Sequence, residues 1–326
     1  MQALVFDGTE PVLRPRHPDP KPPPGEALIR PLRMGVCGTD LAICRGYGGY
    51  TGVLGHEFVG VVEATGAKRD AGWIGRRVVG HINCVNAVCD LVEAGLRDHA
   101  RDRTVLGIVG RDGCFAEQFL LPVENLFAVP DHVDDDHAVF TEPLAAAFQI
   151  LRQLTIEGRP YITVLGDGRL GLLVAQVVNT LNATVRVVGK HEAKLRHCEK
   201  WGIRHRSLGD AGLRQDQDIV IDCTGSARGI ETAMAMVRPR GTIVMKTTTA
   251  ARDLSEAAPM DLSPLVVHEI KLIGSRCGPF PEALNALSAQ TVDIASLISK
   301  RMKLADGVQA LHEAARPGAM KVLLTP

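Results

Sequence analysis

The sequence lacks the features that would place it on a nucleic acid or in a membrane. Its 37 basic and 37 acidic side chains cancel, so no excess of positive charge is available for a polyanionic partner. No apolar run approaches the roughly 18 residues that a membrane span needs. The first residues have neither a basic stretch nor a long apolar core, so we expect no signal peptide and a cytoplasmic location. Nucleic acids and membranes are therefore not expected partners.

Aromatic residues are scarce, at 4%, and the 33 glycines favour tight turns and close backbone approaches. The eight cysteines are scattered without the spacing of a disulfide framework. In a reducing compartment such thiols stay reduced or bind metal. With 326 residues, the chain is long enough for two domains.

The sequence pattern changes near Glu142. Before it, short apolar runs bounded by glycine and proline predict strands, for example at residues 27–34 and 58–64, in a β-rich, partly closed barrel. After it, strand-like runs such as residues 161–165 alternate with helical spacing such as residues 172–181. Strands that alternate with helices indicate a parallel, doubly wound sheet. The expected fold class is therefore α/β.

A glycine motif stands directly between a predicted strand and a predicted helix. It consists of Gly166, Gly168 and Gly171 in the pattern Gly-x-Gly-x-x-Gly. The first glycine permits a tight turn, the second lets the backbone approach a pyrophosphate, and the third lets the helix pack closely on the sheet. The motif, with the intervening Arg169 and Leu170, predicts a dinucleotide site at the helix N-terminus. An ordinary turn is the alternative.

The end of the next strand bears on the choice of dinucleotide. An acid there would bind the ribose 2′-hydroxyl, whereas a small residue beside cations would accept a 2′-phosphate. The strand ends at Gly189, followed by Lys190 and His191, and this favours NADP over NAD. Glu192 follows immediately, so a solvated basic turn is the alternative.

Cys37 and His56, both in the β-rich half, are residues of the types that bind zinc. A catalytic zinc takes three protein ligands and a water molecule. Taken alone, one cysteine and one histidine are more often a buried thiol and a core imidazole. The neighbouring residues decide between these interpretations.

Four segments together resemble the zinc-dependent medium-chain alcohol dehydrogenase family in order and spacing. They are Val36-Cys-Gly-Thr-Asp40, Gly55-His-Glu-Phe-Val-Gly60, Glu142-Pro-Leu-Ala and the glycine motif. The resemblance runs over essentially the whole chain. It implies a GroES-like catalytic domain over residues 1–143, a Rossmann domain over residues 144–277, and a return to the catalytic domain over residues 278–326.

The resemblance implies one catalytic zinc and a nicotinamide cofactor. Cys37, His56 and Glu142 correspond to the zinc ligands, with Glu57 beside the metal as an alternative ligand. Asp40 corresponds to the carboxylate that orients His56. The implied reaction moves a hydride between NAD(P)(H) and a small alcohol, polyol or sugar-like alcohol or its carbonyl.

The resemblance also assigns a route for the proton. Thr39 corresponds to the hydroxyl that takes the proton of the bound alcohol. Many family members end this relay at a histidine three residues later, where the chain has Ala42. Arg276 follows the last Rossmann strand, where the family's backbone meets the nicotinamide carboxamide.

The lobe that holds a second, structural zinc in the family is degenerate in this chain. Its four cysteine positions hold Asn86, Cys89, Val92 and Ala100. A rearranged site with Cys84 or His99 is the alternative, but zinc demands tetrahedral coordination, so we expect a single zinc per chain. The side chains expected to hold the lobe by apolar contact instead are Val88, Leu91, Val92 and Leu96.

Two other functions compete with a zinc dehydrogenase. A zinc-free reductase of the same superfamily would reduce enones or quinones, and the retained Cys37, His56 and Glu142 argue against it. A non-catalytic nucleotide-binding protein would not need Thr39 and Asp40. The expected partners are a small-molecule substrate and further copies of the chain, in a homodimer or homotetramer.

Overall fold

Two structural units divide the chain in this computed structural model, which describes residues 1–85, 89–248 and 260–326. Unit 1 comprises Met1–Glu142 together with Phe280–Pro326, and unit 2 comprises Pro143–Pro279. The sequence placed the domain boundaries after residues 143 and 277, next to these positions. The first unit is therefore built from both ends of the chain.

The described residues form the following elements. The strands are β1 (Ala3–Phe6), β2 (Pro11–Arg14), β3 (Glu26–Gly35), β4 (Gly52–Val53), β5 (Glu57–Thr65), β6 (Arg77–Gly80), β7 (Asn83–Cys84), β8 (Thr104–Leu106), β9 (Gly110–Arg111), β10 (Phe119–Pro122), β11 (Leu126–Ala128), β12 (Tyr161–Leu165), β13 (Thr184–Gly189), β14 (Arg204–Ser207), β15 (Gln217–Asp222), β16 (Val237–Met245), β17 (Lys271–Gly274), β18 (Ile298–Lys303) and β19 (Lys321–Thr325). The helices are α1 (Gly38–Ile43), α2 (Asp90–Glu93), α3 (Asp135–Ala138), α4 (Thr141–Gln153), α5 (Arg169–Val178), α6 (Glu192–Leu195), α7 (His197–Lys200), α8 (Ala227–Met236), α9 (Ser263–Val267), α10 (Phe280–Ser288) and α11 (Gly307–Ala315). None of the helices in these ranges is long and apolar enough to cross a membrane.

Unit 1 is organised by the antiparallel pairing of β3 with β5. These strands lie in a seven-stranded sheet of order β11-β6-β5-β3-β19-β18, with β10 also paired to β3. The register joins Ala27 to Thr65 at one end and Gly35 to Glu57 at the other. Because Gly35 pairs with Glu57, the residues just after β3 and just before β5 are neighbours in space. This register brings Cys37 next to His56.

The C-terminal segment completes the same sheet. Strand β19 pairs antiparallel with the end of β3, joining Leu323 to Gly35, and parallel with β18. Its apolar residues are buried, which is typical of a strand inside a sheet. Residues 321–325 therefore lie beside the strand that leads to Cys37.

Unit 2 contains a six-stranded sheet of order β14-β13-β12-β15-β16-β17, in which every pair of strands is parallel. The strand order reverses at β12, since β13 lies on one side of it and β15 on the other. The carboxyl ends of strands at such a switch point are the usual ligand position in open α/β sheets. The expected parallel, doubly wound sheet and the α/β class are confirmed.

The turn from β12 into α5 depends on the glycine motif. Gly166 has a φ of +112°, a conformation that side chains disfavour. A β-carbon on Gly171 would lie 2.0 Å from the carbonyl oxygen of Gly166, whereas one on Gly168 would meet nothing within 4 Å. The third glycine therefore permits close packing, and the second leaves open space beside the backbone.

Several predicted elements differ from the observed ones at their ends. Helix α5 begins at Arg169 rather than residue 172, because the glycine turn leads directly into it. Strand β18 was not predicted. Its sequence is polar, and four of its six residues are exposed, because it lies at the edge of the sheet.

We predict that Gly171→Ala lowers the free energy of unfolding by about 1–3 kcal/mol, measured by urea denaturation. The added methyl meets backbone that cannot move aside, and overpacking of this kind costs about 1–3 kcal/mol. This outweighs the gain in helix propensity of about 1 kcal/mol. The control is Gly209→Ala, whose β-carbon would have only an ordinary contact at 3.9 Å. Equal stabilities of the two variants would contradict the packing role of Gly171.

Candidate metal and cofactor sites

Three metal-binding side chains meet in unit 1. The ligand atoms of Cys37, His56 and Glu57 all lie within 4.8 Å of one another. Cys37 is the N-cap of α1, and His56 and Glu57 stand where β5 begins. His56 is 3% exposed and Glu57 1%, so water cannot satisfy these polar groups. The β3–β5 register is what brings the three side chains together.

Asp40 joins this cluster to the start of α1. Its Oδ2 accepts a hydrogen bond from the backbone N–H of Cys37 at 2.8 Å, and its Oδ1 lies 3.3 Å from Nδ1 of His56. Burial lowers the pKa of His56, but the negative charges of Asp40 and Cys37 outweigh it and raise the pKa well above its ordinary value. Asp40 therefore caps the helix and places its Oδ1 beside one ring nitrogen of His56, and its role as an orienting carboxylate stays a prediction.

Thr39 lies on the first turn of α1. Its Oγ1 is 3.7 Å from Sγ of Cys37, so the hydroxyl lies beside the cluster. Ala42, one turn further along the same helix, provides no group that could pass a proton onward. The structure thus places Thr39 next to the predicted zinc ligand and leaves the rest of the relay without an imidazole at this position.

Glu142 lies in the first turn of α4 and outside the 4.8 Å cluster. Burial raises the pKa of its carboxyl group, an effect opposed by the charge of His56 and reinforced by that of Glu57. Glu142 therefore interacts electrostatically with both residues. Its role as third zinc ligand stays a prediction, and Glu57 occupies the third position of the observed cluster.

Lys321 is a site residue that the sequence analysis missed. It is 2% exposed, and its ammonium donates a hydrogen bond to Oε2 of Glu57. The same ammonium lies 5.5 Å from the centre of the Phe140 ring, within reach of a cation–π interaction. The available signal was a single charged residue inside the apolar run from Met320 to Leu324.

The donor set of the cluster fits zinc. A thiolate, an imidazole and a carboxylate are all common zinc ligands, and three such ligands are typical of a catalytic site. Oε1 of Glu57 is buried without a hydrogen-bond partner. A buried acceptor without a partner is costly, and a cation bound between Cys37, His56 and Glu57 would satisfy it.

The region of the degenerate lobe shows a different arrangement. Cys84 is fully buried, which raises the pKa of its thiol to about 12, and its Sγ lies 3.6 Å from Nδ2 of Asn125. Within the described residues, Cys37, His56 and Glu57 form the only group with metal-binding geometry. Asn86 and Val88 lie outside the described residues. The absence of a structural zinc stays a prediction.

The prediction that apolar contacts hold this lobe is wrong at Leu96, which is 49% exposed. Charged groups connect this segment to its surroundings instead. Arg101 donates two hydrogen bonds to the carboxylate of Asp90, and Arg97 bonds to Glu124. Leu91 and Val92 are only half-buried, because the segment is short and lies at the surface.

The glycine loop of unit 2 has the geometry of a dinucleotide cradle. Gly168 precedes α5 and leaves open space, as a close approach of pyrophosphate requires. Arg169 and Leu170 form the first turn of the helix and are half-buried. Gly189 is buried at the end of β13, and Lys190 and His191 follow it on the surface. These residues lie at the carboxyl ends of adjacent strands, as predicted.

Two further features of unit 2 concern predicted cofactor residues. The backbone oxygen of Arg276 accepts a hydrogen bond from the buried Nζ of Lys246, which fixes the segment after β17. Asp167, between the first two glycines, accepts hydrogen bonds from the backbone N–H groups of Lys190 and His191, each at 2.6 Å. The sequence analysis did not single out Asp167 or Lys246.

Known proteins resemble this chain along its whole length. The alcohol dehydrogenase GroES-like domain family matches residues 23–131, and the zinc-binding dehydrogenase family matches residues 170–291. An L-threonine 3-dehydrogenase of Streptomyces avermitilis is 32% identical, over 99% of both chains. A sorbitol dehydrogenase of Halalkalibacterium halodurans is 26% identical, over 100% of this chain and 99% of that one.

A solved structure from Sinorhizobium meliloti, described as a zinc-binding dehydrogenase bound to NADP, is 27% identical. It has a TM-score of 0.87 and covers 100% of this chain and 99% of its own. The chain belongs to the zinc-dependent medium-chain alcohol dehydrogenase family. It is an NAD(P)-dependent, zinc-type dehydrogenase, which confirms the predicted class of enzyme.

We predict that Lys321→Met destabilises the zinc-free protein by about 3–5 kcal/mol, measured by urea unfolding in chelator. Removing one partner leaves the buried carboxylate of Glu57 without a counter-charge, and such losses cost about 3–5 kcal/mol. The double variant Lys321→Met with Glu57→Gln should recover most of the loss. The control is Lys300→Met on β18, whose ion pair with Glu313 is partly exposed and contributes about 0–1 kcal/mol. Equal effects of the two lysine substitutions would contradict this assignment.

Proposed function

We propose that the chain oxidises a small polar alcohol, polyol or sugar-like alcohol, or reduces the matching carbonyl. The observation that carries this proposal is the cluster of the half-buried Cys37 with the buried His56 and Glu57, with Thr39 beside it. The relatives named for threonine and sorbitol support a small hydroxylated substrate. A zinc-free enone reductase would have no use for three metal-binding groups within 4.8 Å of one another.

We propose a separate role for each of the site residues of unit 1. Cys37, His56 and Glu142 hold the metal, and Glu57 is the alternative ligand. When bound, zinc supplies a Lewis acid for the substrate oxygen, and the nicotinamide exchanges the hydride. Asp40 keeps the ring of His56 in place through Nδ1. Thr39 accepts the substrate's proton and passes it on by a route without a histidine at residue 42.

We propose that Glu57 is the alternative to Glu142 as the third residue that would hold the metal. Both carboxylates are near His56, and they interact electrostatically with each other. One oxygen of Glu57 is bonded to Lys321, and the other has no partner. Lys321 thereby limits how far the carboxylate can move toward a metal.

We propose a nicotinamide dinucleotide as cofactor, bound at the glycine loop with Gly166, Gly168, Gly171 and the first turn of α5. Arg276, after β17, is the proposed contact of the nicotinamide end. The preference for NADP over NAD stays a prediction that rests on Gly189 and Lys190. The position of Asp167 beside Gly189 argues for the opposite preference. A cytoplasmic location likewise stays a prediction.

We predict that Cys37→Ser and His56→Ala each reduce turnover by more than about a hundredfold, because zinc loses a ligand. Elemental analysis should give one zinc per chain in the wild type and much less in both variants. Dinucleotide affinity, measured by fluorescence titration, should stay within about twofold, since the glycine loop belongs to unit 2. The assay screens small alcohols and their carbonyls with both cofactors.

The matched control is Cys44→Ser. This thiol ends the same helix, α1, but is not part of the cluster, and burial raises its pKa to about 11. It should keep both zinc and turnover. Wild-type turnover in Cys37→Ser, or in protein shown to be free of metal, would contradict the zinc mechanism. Two tightly held zincs per chain would contradict the expected loss of the structural site.

We propose that the chain forms at least a homodimer through the β17 edge of unit 2. Strand β17 is the last strand of its sheet, so it has an unpaired edge within the described residues. Exposed apolar side chains flank it: Val266 is 81% exposed, Val267 72% and Leu272 42%. An apolar patch beside a free strand edge suits self-association about a twofold axis. A homotetramer would require a second interface.

We predict that Val266→Glu combined with Leu272→Glu shifts the protein toward monomer, because it places charges in the proposed apolar interface. Light scattering after size-exclusion chromatography measures the mass. The control is Leu213→Glu, a residue 60% exposed on the loop between β14 and β15, near the opposite edge of the sheet. A wild-type protein that is monomeric at micromolar concentration would rule out the interface.

A further inference from the structure

Asp167 fills the place where a side chain at the end of β13 would begin. Residue 189 is glycine, and a β-carbon built on it would lie 2.4 Å from Oδ2 and 2.6 Å from Cγ of Asp167. Contacts this short do not occur between real side chains, so the two positions share one space. Asp167 comes from the neighbouring loop, between the first two glycines of the motif. The site thus has a carboxylate where β13 itself provides none.

The backbone after β13 holds this carboxylate in place. Oδ2 accepts the N–H groups of Lys190 and His191, both at 2.6 Å, and Oδ1 lies 3.0 Å from Nδ1 of His191. Burial raises the pKa of Asp167, but the hydrogen bonds from His191 and Lys190 outweigh it, so the pKa is lowered. Asp167 is therefore a fixed negative charge at neutral pH.

The carboxylate retains capacity for a ligand. An ionised carboxylate has about four acceptor positions, and the contacts from Lys190 and His191 leave one of them on Oδ1. A ribose 2′-hydroxyl can donate one hydrogen bond to this remaining acceptor position, whereas a phosphate dianion is repelled by the carboxylate. The ribose of NAD offers a free 2′-hydroxyl, and the ribose of NADP bears a phosphate there.

Of the two side chains that favoured NADP, His191 directs its ring Nδ1 at the same carboxylate. Lys190 gives Asp167 its backbone N–H and not its ammonium. The negative charge of Glu192 lies one residue further on. The turn therefore combines one positive charge, that of Lys190, with the two negative charges of Asp167 and Glu192, and this is not a phosphate-binding cluster.

We infer that Asp167 supplies, from the glycine loop, the acid that β13 lacks, and that the chain binds NAD(H) in preference to NADP(H). The inference rests on the proposed function only in requiring a nicotinamide dinucleotide at this loop. It reverses the preference expected from Gly189, Lys190 and His191, because that expectation did not include Asp167 from the neighbouring loop. The NADP in the Sinorhizobium meliloti structure belongs to that protein.

The test is direct titration of the full chain with NADH and with NADPH, followed by nicotinamide fluorescence, without substrate. NADH should bind at least about tenfold more tightly, since a like charge within hydrogen-bond distance opposes the phosphate. In Asp167→Asn, which keeps the shape and removes the charge, the ratio of the two dissociation constants should fall by at least about tenfold. The ratio should fall mainly because this variant binds NADPH more tightly than the wild type does.

The matched control is Glu192→Gln, which removes one negative charge from the same turn but not the one against Gly189. The ratio of its dissociation constants for NADH and NADPH should stay within about twofold of the wild-type ratio. Lys190→Ala changes a surface side chain and serves as a second variant in case Asp167→Asn does not fold. It should change the affinities for NADH and NADPH by the same factor. A selective loss of NADPH binding in this variant would overturn the inference.

The outcomes also separate this inference from the proposed function. Equal or tighter binding of NADPH by the wild type, with zinc-dependent turnover intact, overturns the role of Asp167 alone. Binding of neither cofactor overturns both. NADH preference that disappears in Asp167→Asn and persists in Glu192→Gln supports the assignment.

Discussion

The buried ion pair between Lys321 and Glu57 is the interaction on which unit 1 depends. Each charge loses its hydration on burial, and the opposite charge offsets much of this loss. Glu57 therefore has its ammonium partner only when β19 is docked against β3. The pair links the C-terminal segment to the strand that presents the metal-binding side chains. The electrostatic environment of the metal-binding cluster thus depends on the strand that completes the sheet.

Two aspartates in the protein work by the same physical arrangement. Asp40 accepts the N–H of Cys37 with one oxygen and directs the other toward His56. Asp167 accepts the N–H groups of Lys190 and His191 and leaves capacity on its second oxygen. In both, backbone donors fix a carboxylate, and its second oxygen lies near the Nδ1 atom of a histidine. A group held in this way loses less entropy when it takes part in binding.

Much of the fold follows from local sequence. The strand predicted at residues 161–165 has the same bounds as β12, because an apolar run lies between a proline and a glycine. The closeness of Cys37 and His56 was expected from the family resemblance. Strand β18 was missed, since its exposed polar residues resemble a loop and only pairing with β19 makes it a strand.

The missed site residues share a cause. A single lysine in a strand pattern indicates a solvent-facing position, and only the position of Glu57 makes Lys321 an interior residue. Likewise, the end of β13 does not identify the acid from the preceding loop that occupies its side-chain space. Both depend on contacts between segments distant in sequence, which periodicity does not contain. Glycine at residue 189 was the one indirect signal, because it leaves the space that Asp167 fills.

The split of unit 1 across the chain has a consequence for its synthesis. Glu57 and Lys321 are separated by 264 residues, so at typical translation rates the lysine follows the glutamate by roughly 13 to 50 seconds. Unit 2 is continuous and can fold on the ribosome in that interval. Until the final strand emerges, unit 1 lacks Lys321, and the carboxylate of Glu57 has no ammonium partner. A chain released before residue 321 would therefore carry a complete nucleotide domain and a catalytic half unable to close.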